Sequence, residues 1–565
     1  MMNFGRVATA DTEPIQVAEA GSESSPRKVI TLAFLAEHLL DSLISEQLAR
    51  SLCAETGSSV VLVLLESRDG PGSLNDAVAP GLYLNGEFHL PPELGQTEAG
   101  FHALTLFCAR SEPPTPSGLD SMLSQLSRQF RYVLVQTRVD ESPPPWLFDL
   151  LLRSDLAYVF LRGAAQDIYH LEQLMREART KCPNGGAHVK SIACLAENEQ
   201  LGGLDLLIQR VAGPVHLFLR ECPRLDRGKE TSLRTLAPSR FRSDVRRLAR
   251  EIGGCLVGLA LSSGAAKGFA HIGVIQVLEE NGLQVDVVAG SSMGAYVGAL
   301  WAHGCDGREL EKLARDLETR WAFLTLIDPT FPPHRGFMRG FAVKKRLMQT
   351  IGQERFSDLV RPLRVIAANL ATLERVVFAS GEVATAIHAS TAVPGICVPI
   401  TIDGETYTDG GIVDPLPVDV LREMGVAHVI AVNVIPTPER IRHGMEAELE
   451  LARQKHKPRR KFLGRFQLAD REVNYFARGS MLDILLRSVQ SGQIRMAETS
   501  CQQADVVLRP DIYDDRWLDY RYPGKFIALG RQAAERHLEE ITSLFTRREA
   551  NHESKLTPAA LAPTL

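Results

Sequence analysis

Gly290-Ser291-Ser292-Met293-Gly294 is a G-x-S-x-G match. A serine hydroxyl becomes a useful nucleophile only with a base beside it and a backbone that holds its oxygen clear. Val285–Ala289, before the match, reads as a short buried strand, and Met293 onward reads as a helix rich in small residues. On a sharp strand-to-helix turn, Gly290 and Gly294 supply the clearance. The hydroxyl of Ser292 then sits at a helix N-terminus, where partial positive charge favours a developing anion. The chemistry this suggests is acyl transfer.

Two further segments could serve that chemistry. Upstream, LVGLALSSGAAKGFAHIGVIQVLEENG repeats the order strand, small-residue loop, helix, with the helix from about Phe269. Backbone N–H groups of Gly264, Ala265, Ala266 and Lys267 could face an oxyanion there, and Lys267 adds a fixed positive charge. Downstream, TYTDGGIVDPLPVDVL contains Asp409-Gly410-Gly411. A carboxylate followed by two glycines can approach another backbone closely, although the tripeptide alone is also a common turn.

In this order the three segments resemble the patatin-like phospholipases, over roughly residues 250 to 545. The resemblance implies a Ser–Asp dyad on an α/β sheet, with Ser292 as nucleophile and Asp409 as base. The family's GGG-x-[RK]-G oxyanion loop aligns with Ser263-Gly264-Ala265-Ala266-Lys267-Gly268, so Ser263 and Ala265 replace two of its glycines. If the position of Ala265 requires φ > 0, alanine strains the loop by about 1–2 kcal/mol. Ala389-Ser390-Thr391-Ala392-Val393-Pro394-Gly395 is similar to the family's ASxAxPG turn, and ADVVLRPDI to its closing strand. The order of the two halves resembles bacterial relatives of neuropathy target esterase. The rival arrangement is a Ser–Asp–His triad, which needs a late histidine. Its candidates, His428, His443, His456, His537 and His552, read as solvated or structural, and His271 as a packing or capping residue at the start of its helix.

These segments need a scaffold, and 565 residues are enough for several domains. Residues 1–27 and 546–565 read as loose tails. From Lys28 to about Leu225, apolar strand-length runs (VITLAFL, SSVVLVLLES, HALTLFCA, FRYVLVQT, SDLAYVFL) alternate with helical runs, which predicts a parallel sheet covered on both faces. By order of elements this half resembles the MinD/ParA-type nucleotide-binding sheet. The segment after its first strand, AEHLLDSLIS, has neither the glycines nor the lysine of a phosphate cradle, so no nucleotide is expected. Residues 226–250 read as a charged linker entering an amphipathic helix. A three-layer α/β/α patatin-like domain is expected over 251–545.

Composition limits the function. Hydrophobic residues at 45% and charged residues at 23% are ordinary for globular chains, and a net charge of −5 argues against a nucleic-acid footprint. No spanning-helix run, signal-peptide order, paired C-x-x-C or zinc-ligand spacing occurs, so a reduced cytoplasmic protein without metal or other cofactor is expected. Arg453–Arg465 carries seven basic residues beside Phe462, Leu463 and Phe466, which suits peripheral contact with anionic lipid on a membrane's inner face, although such runs are often merely solvated. The reading is a serine esterase acting on phospholipid or lysophospholipid esters. Its alternative is a weakly active or inactive lipid-binding scaffold whose N-terminal domain docks a partner.

Overall fold

A computed structural model of the chain describes residues 27–35, 41–68, 82–83, 88, 94, 96–109, 113–139, 143–162, 164–196, 204–213, 215–222, 240–318, 326–332, 334–440, 442, 481–512 and 520–546. The basic segment 453–465 and both predicted tails lie outside these residues, apart from Arg27 and Thr546. Within them the chain forms two α/β units.

The first unit contains β1 (Lys28–Phe34), β2 (Val60–Arg68), β3 (Leu82–Tyr83), β4 (His102–Ala109), β5 (Tyr132–Arg138), β6 (Leu156–Leu161), β7 (Val189–Cys194) and β8 (Leu217–Leu219). They pair in parallel, in the order β3-β4-β2-β5-β1-β6-β7-β8. The strands read as continuous apolar runs because both faces are covered. Ile30, Leu32 and Phe34 pack under α1 (Asp41–Thr56), whereas Ala33 faces α3 (Pro145–Leu152) and α4 (Ala165–Lys181). α2 (Pro116–Gln129) and α5 (Leu204–Ala212) complete that second layer.

α6 (Arg240–Ile252) belongs physically to the first unit although it follows the charged linker. Its apolar residues Phe241, Val245, Leu248, Ala249 and Ile252 are buried in the same core as α1 and the first sheet. Its buried Glu251 accepts hydrogen bonds from Lys190 Nζ at 2.6 Å and His216 Nε2 at 2.7 Å. Arg250 of the same helix binds carboxylates of both units. Arg250 donates through Nε and Nη2 to both oxygens of Asp286, at 2.8 and 2.7 Å, and through Nη1 to Glu55 at 3.1 Å. Asp286 stands directly before the strand that leads to Ser292.

The second unit contains β9 (Val257–Leu261), β10 (Val287–Ser291), β11 (Leu363–Asn369), β12 (Arg375–Phe378), β13 (Ile400–Ile402), β14 (Glu405–Asp409), β15 (His428–Val432) and β16 (Val506–Leu508). Their order is β13-β14-β11-β10-β9-β15-β16, with β12 also on β11. The centre is parallel, and β12, β13 and β14 join antiparallel. Leu259, Leu261, Ile430 and Val432 face α7 (Ala270–Glu280), α8 (Met293–His303), α9 (Gly307–Arg315) and the helix Pro523–Arg536. Ala260, Val429 and Ala431 face the helices Val418–Glu423 and Met481–Cys501. This alternation along each strand makes the unit a three-layer α/β/α sandwich.

Candidate active site

β11 brings the two key segments together. It lies between β10 and β14, and the register sets Ser291 opposite Ile366 and Asp409 opposite Ala367. The ends of two strands distant in sequence therefore reach the same level on neighbouring edges of one strand. Gly410 makes the approach possible: a Cβ there would lie 2.3 Å from the Ile366 carbonyl oxygen. Across this arrangement the Ser292 hydroxyl donates to Asp409 Oδ2 at 2.6 Å.

The turn that presents Ser292 is strained. Its φ of 53° and ψ of −119° lie where a non-glycine residue is rarely found. Surrounding contacts hold it there. The Ser292 N–H donates to the buried Ser390 Oγ at 2.9 Å, and the Tyr296 N–H to the Ser292 carbonyl at 3.0 Å. Gly294 lets the start of α8 lie against the end of β9, since a Cβ would meet the Leu261 oxygen at 2.3 Å. At Gly290 the same atom would collide with the Ala295 backbone. The two glycines of the motif thus have separate steric reasons.

Asp409 is 4% exposed. Burial pushes its carboxyl up to about 6, against the opposing hydrogen bonds from Ser292 and from the Gly411 N–H, which reaches Oδ1 at 2.7 Å. A carboxylate in this state is a better base than one in water, yet still ionised for the most part at neutral pH. Its backbone is fixed as well, the Asp409 N–H donating to the Ala392 carbonyl at 3.0 Å. Ser390 and Ala392 both lie in the segment 389–395. That similarity is visible in sequence, but their separate tasks of gripping the Ser292 and Asp409 backbones are not.

The loop after β9 borders the same turn. Residues Ala265–Phe269 form a single 3₁₀ turn and α7 begins at Ala270. Gly268 packs so closely on Met293 that a Cβ would lie 2.4 Å from its Cγ. Ala265 has φ 49°, so the position does require the left-handed conformation and the alanine bears that strain. The Lys267 N–H donates to the Gly264 carbonyl at 3.1 Å and closes the turn instead of facing the site. Among the described residues, the N–H groups of Gly264, Ala265 and Ala266 donate to no protein acceptor. His271 anchors the loop from behind: it is fully buried, and Nε2 bonds the Ser262 carbonyl at 2.9 Å. Burial lowers its pKa to about 4, so it is neutral at pH 7 and has a structural task. Of the later histidines proposed for a triad, His443, His456 and His552 lie outside the described residues.

Residues 259–422 match the family model "Patatin-like phospholipase". Among curated proteins the chain is similar to "Lysophospholipase nte1" of Aspergillus fumigatus, with 34% identity over 35% of this chain and 13% of the relative. It is also similar to human "Patatin-like phospholipase domain-containing protein 6", with 29% identity over 56% of this chain and 23% of the relative. "Neuropathy target esterase sws" of Drosophila melanogaster is 34% identical over 35% of this chain and 14% of its own length. The chain therefore spans less than a quarter of the length of these relatives. Likeness to solved structures is distant. A ParA family ATPase from Chlorobium tepidum has 14% identity and a TM-score of 0.30, over 40% of this chain and 98% of that one. VipD from Legionella pneumophila has 15% identity and a TM-score of 0.26, over 51% and 67%. By the family-model match and these relatives, residues 259–422 are similar to the patatin-like phospholipases.

Proposed function

We propose that this protein is a serine esterase that hydrolyses phospholipid or lysophospholipid acyl esters through Ser292 and Asp409. The observation that carries the proposal is the 2.6 Å hydrogen bond from the strained, elbow-mounted Ser292 to a carboxylate made more basic by burial. Asp409 accepts the hydroxyl proton while Ser292 Oγ attacks the ester carbonyl. Amides of the Gly264–Ala266 turn stabilise the tetrahedral oxyanion. The leaving alcohol takes the proton back from Asp409, which then deprotonates water to release the fatty acid and free Ser292.

The lipid assignment has local support. Gln493, on the helix Met481–Cys501, stands beside Gly411, with Nε2 2.8 Å from where a Cβ of that glycine would be. About 12 Å along the same helix, Ile484 and Leu485 are 57% and 55% exposed. Apolar side chains near the site suit substrate presented by a lipid surface, with the basic segment 453–465 supplying attraction to anionic headgroups. No helix among the described residues is long and apolar enough to cross a membrane, so peripheral contact is the mode proposed. Residues 251–545 carry the chemistry, and residues 28–225 dock against them through α6.

The test is labelling with a fluorophosphonate probe together with release of fatty acid from lysophosphatidylcholine micelles. Wild type should label and turn over, and Ser292→Ala should do neither. Release that persists in Ser292→Ala would overturn the assignment. A second reading, a weakly active protein, draws on the strain at Ala265; it expects slow turnover with labelling intact.

A further inference from the structure

Beside the dyad stands a β-hairpin that the proposed chemistry does not use. Asp328 to Arg339 folds back on itself. Pro329 pairs antiparallel with Met338, the Thr330 N–H donates to the Phe337 carbonyl at 2.9 Å, and the Arg339 N–H donates to the Asp328 carbonyl at 2.9 Å. The returning arm lies along residues 396–398. The Phe337 and Met338 N–H groups donate to the Ile396 carbonyl at 2.8 and 2.9 Å, and the Val398 N–H donates to the Met338 carbonyl at 2.8 Å. Gly336 permits this approach, since a Cβ there would lie 2.6 Å from the Cys397 carbonyl carbon. Met338 packs on Ala392, Ile396 and Cys397, and Ala392 holds the Asp409 backbone. The hairpin therefore borders the site.

Its root is firmly tied. Asp328 binds amides at the start of the helix Phe341–Ile351, Oδ1 accepting from the Gly340 N–H at 2.9 Å and Oδ2 from the Ala342 N–H at 3.0 Å. His388 Nε2, on the helix that ends in Ser390, bonds the Arg339 carbonyl at 3.2 Å. The tip is the opposite. Phe331 is 96% exposed, and no large apolar side chain among the described residues is more so. Phe341, just past the hairpin, is exposed as well. A lone exposed apolar residue is ordinary. Here cations accompany it: Arg335, Arg339 and Lys345 are exposed and have no carboxylate partner among the described residues. From Ile327 to Met348 the sole acidic residue is Asp328, whose oxygens are engaged by the helix amides. The whole chain carries −5, so this apolar, basic projection reverses its charge locally.

We infer that the tip of the hairpin Asp328–Arg339 inserts into an anionic lipid surface, Phe331 entering the acyl boundary while Arg335 and Arg339 meet headgroup phosphates. Apolar side chains flanked by cations suit that boundary. Because the root is tied to the segments that hold Ser292 and Asp409, insertion brings the dyad to the surface that carries its substrate. For this consequence the inference rests on the lipid-esterase reading; the binding itself does not.

The experiment sediments the full chain with vesicles of diether phosphatidylcholine, alone or mixed equally with diether phosphatidylglycerol. Ether lipids contain no acyl ester, so binding is read without turnover. Wild type should bind the mixed vesicles more tightly than the neutral ones. Phe331→Ser should bind both at least about tenfold more weakly. Arg335→Gln combined with Arg339→Gln should lose affinity for the mixed vesicles alone, by about fivefold per arginine. Phe331→Trp should keep binding and show tryptophan quenching by brominated lipid beyond that of wild type. Each variant should match wild type in Tm and in hydrolysis of a soluble short-chain ester. Absence of hydrolysis throughout, wild type included, would defeat the esterase reading and leave the vesicle result intact. Mixed-vesicle affinity unchanged in Phe331→Ser would overturn the inference, as would Phe331→Trp quenched no more than wild type. A dimer that Phe331→Ser dissociates, with vesicle binding unchanged, would instead assign the tip to a second copy of this chain.

Discussion

At the scale of single residues, the proposed mechanism asks Asp409 to be both base and core residue, and the two demands conflict. Its carboxyl must lose its proton to activate Ser292, so kcat/KM for ester hydrolysis should fall by about tenfold per pH unit below about 6 and level off above it. A pH–rate profile with a short-chain ester checks this. Stability runs the opposite way. The folded pKa lies above the unfolded 3.8, so the group's contribution is fully present below about pH 4 and is lost as pH rises through about 6. That loss is of order 3 kcal/mol at neutral pH. Asp409→Asn should thus lower turnover by at least about a thousandfold while raising Tm at pH 7–8, a gain that shrinks toward pH 4. Ala265 presents a smaller conflict. Ala265→Gly removes a left-handed penalty of about 1–2 kcal/mol and adds about 0.4–1 kcal/mol of unfolded-state entropy. The variant should be as stable as wild type or slightly more so in urea, with faster turnover if strain displaces the oxyanion amides. Ala265→Val, β-branched at φ 49°, should lose in both.

At the scale of elements, glycines decide which pieces can touch. In α8, a Cβ on Gly294 would meet backbone atoms of Leu261 and Ser262 at 2.3–2.6 Å, whereas one on Gly298 would meet only side-chain methyls at 3.2–3.5 Å. Gly294→Ala should therefore displace α8 from β9 and abolish fluorophosphonate labelling. Gly298→Ala, four residues along the same helix, should label nearly as well as wild type. Only the first of these differences was legible from the motif. The strand-turn-helix order around Ser292, the alternating units of the first half and the two glycines after Asp409 could all be read, because each depends on local pattern. Other features could not, because their causes are tertiary. Gly273 and Gly530 each abut the backbone of the other's helix, at Ile527 O and Ala270 O, and nothing near either residue in sequence signals that crossing. Ser390 was visible as part of a similar turn, yet its grip on the Ser292 N–H depends on α8 and the helix Val383–Ser390 meeting in space. α6 reads as an amphipathic helix at the end of a charged linker, but the core that its apolar face joins cannot be read from the segment itself. Its five buried apolar residues count only once the first sheet is present.

At the scale of the whole molecule, α6 makes one body of two units. Its apolar face completes the first core, and Arg250 reaches across to hold Asp286 at the root of β10. The carboxylate is 8% exposed and also accepts the Val257 N–H at 2.8 Å, so two central strands of the second sheet share it. Burying that ion pair contributes little net stability, but breaking it is costly, because the remaining charge cannot regain water. Arg250→Met leaves the buried Asp286 without its cation, whereas Glu55 keeps Arg246, and should destabilise the protein by about 3–5 kcal/mol. The penalty falls on the second unit and on the junction, whereas the first sheet keeps its α6 packing. Unfolding of wild type should therefore be a single calorimetric transition, and that of Arg250→Met should split, with the second unit melting first and esterase activity lost with it. Arg250→Met combined with Asp286→Asn removes the stranded charge and should recover much of the lost stability. A double variant no more stable than the single one would mean that the arginine acts through packing, and not through its charge.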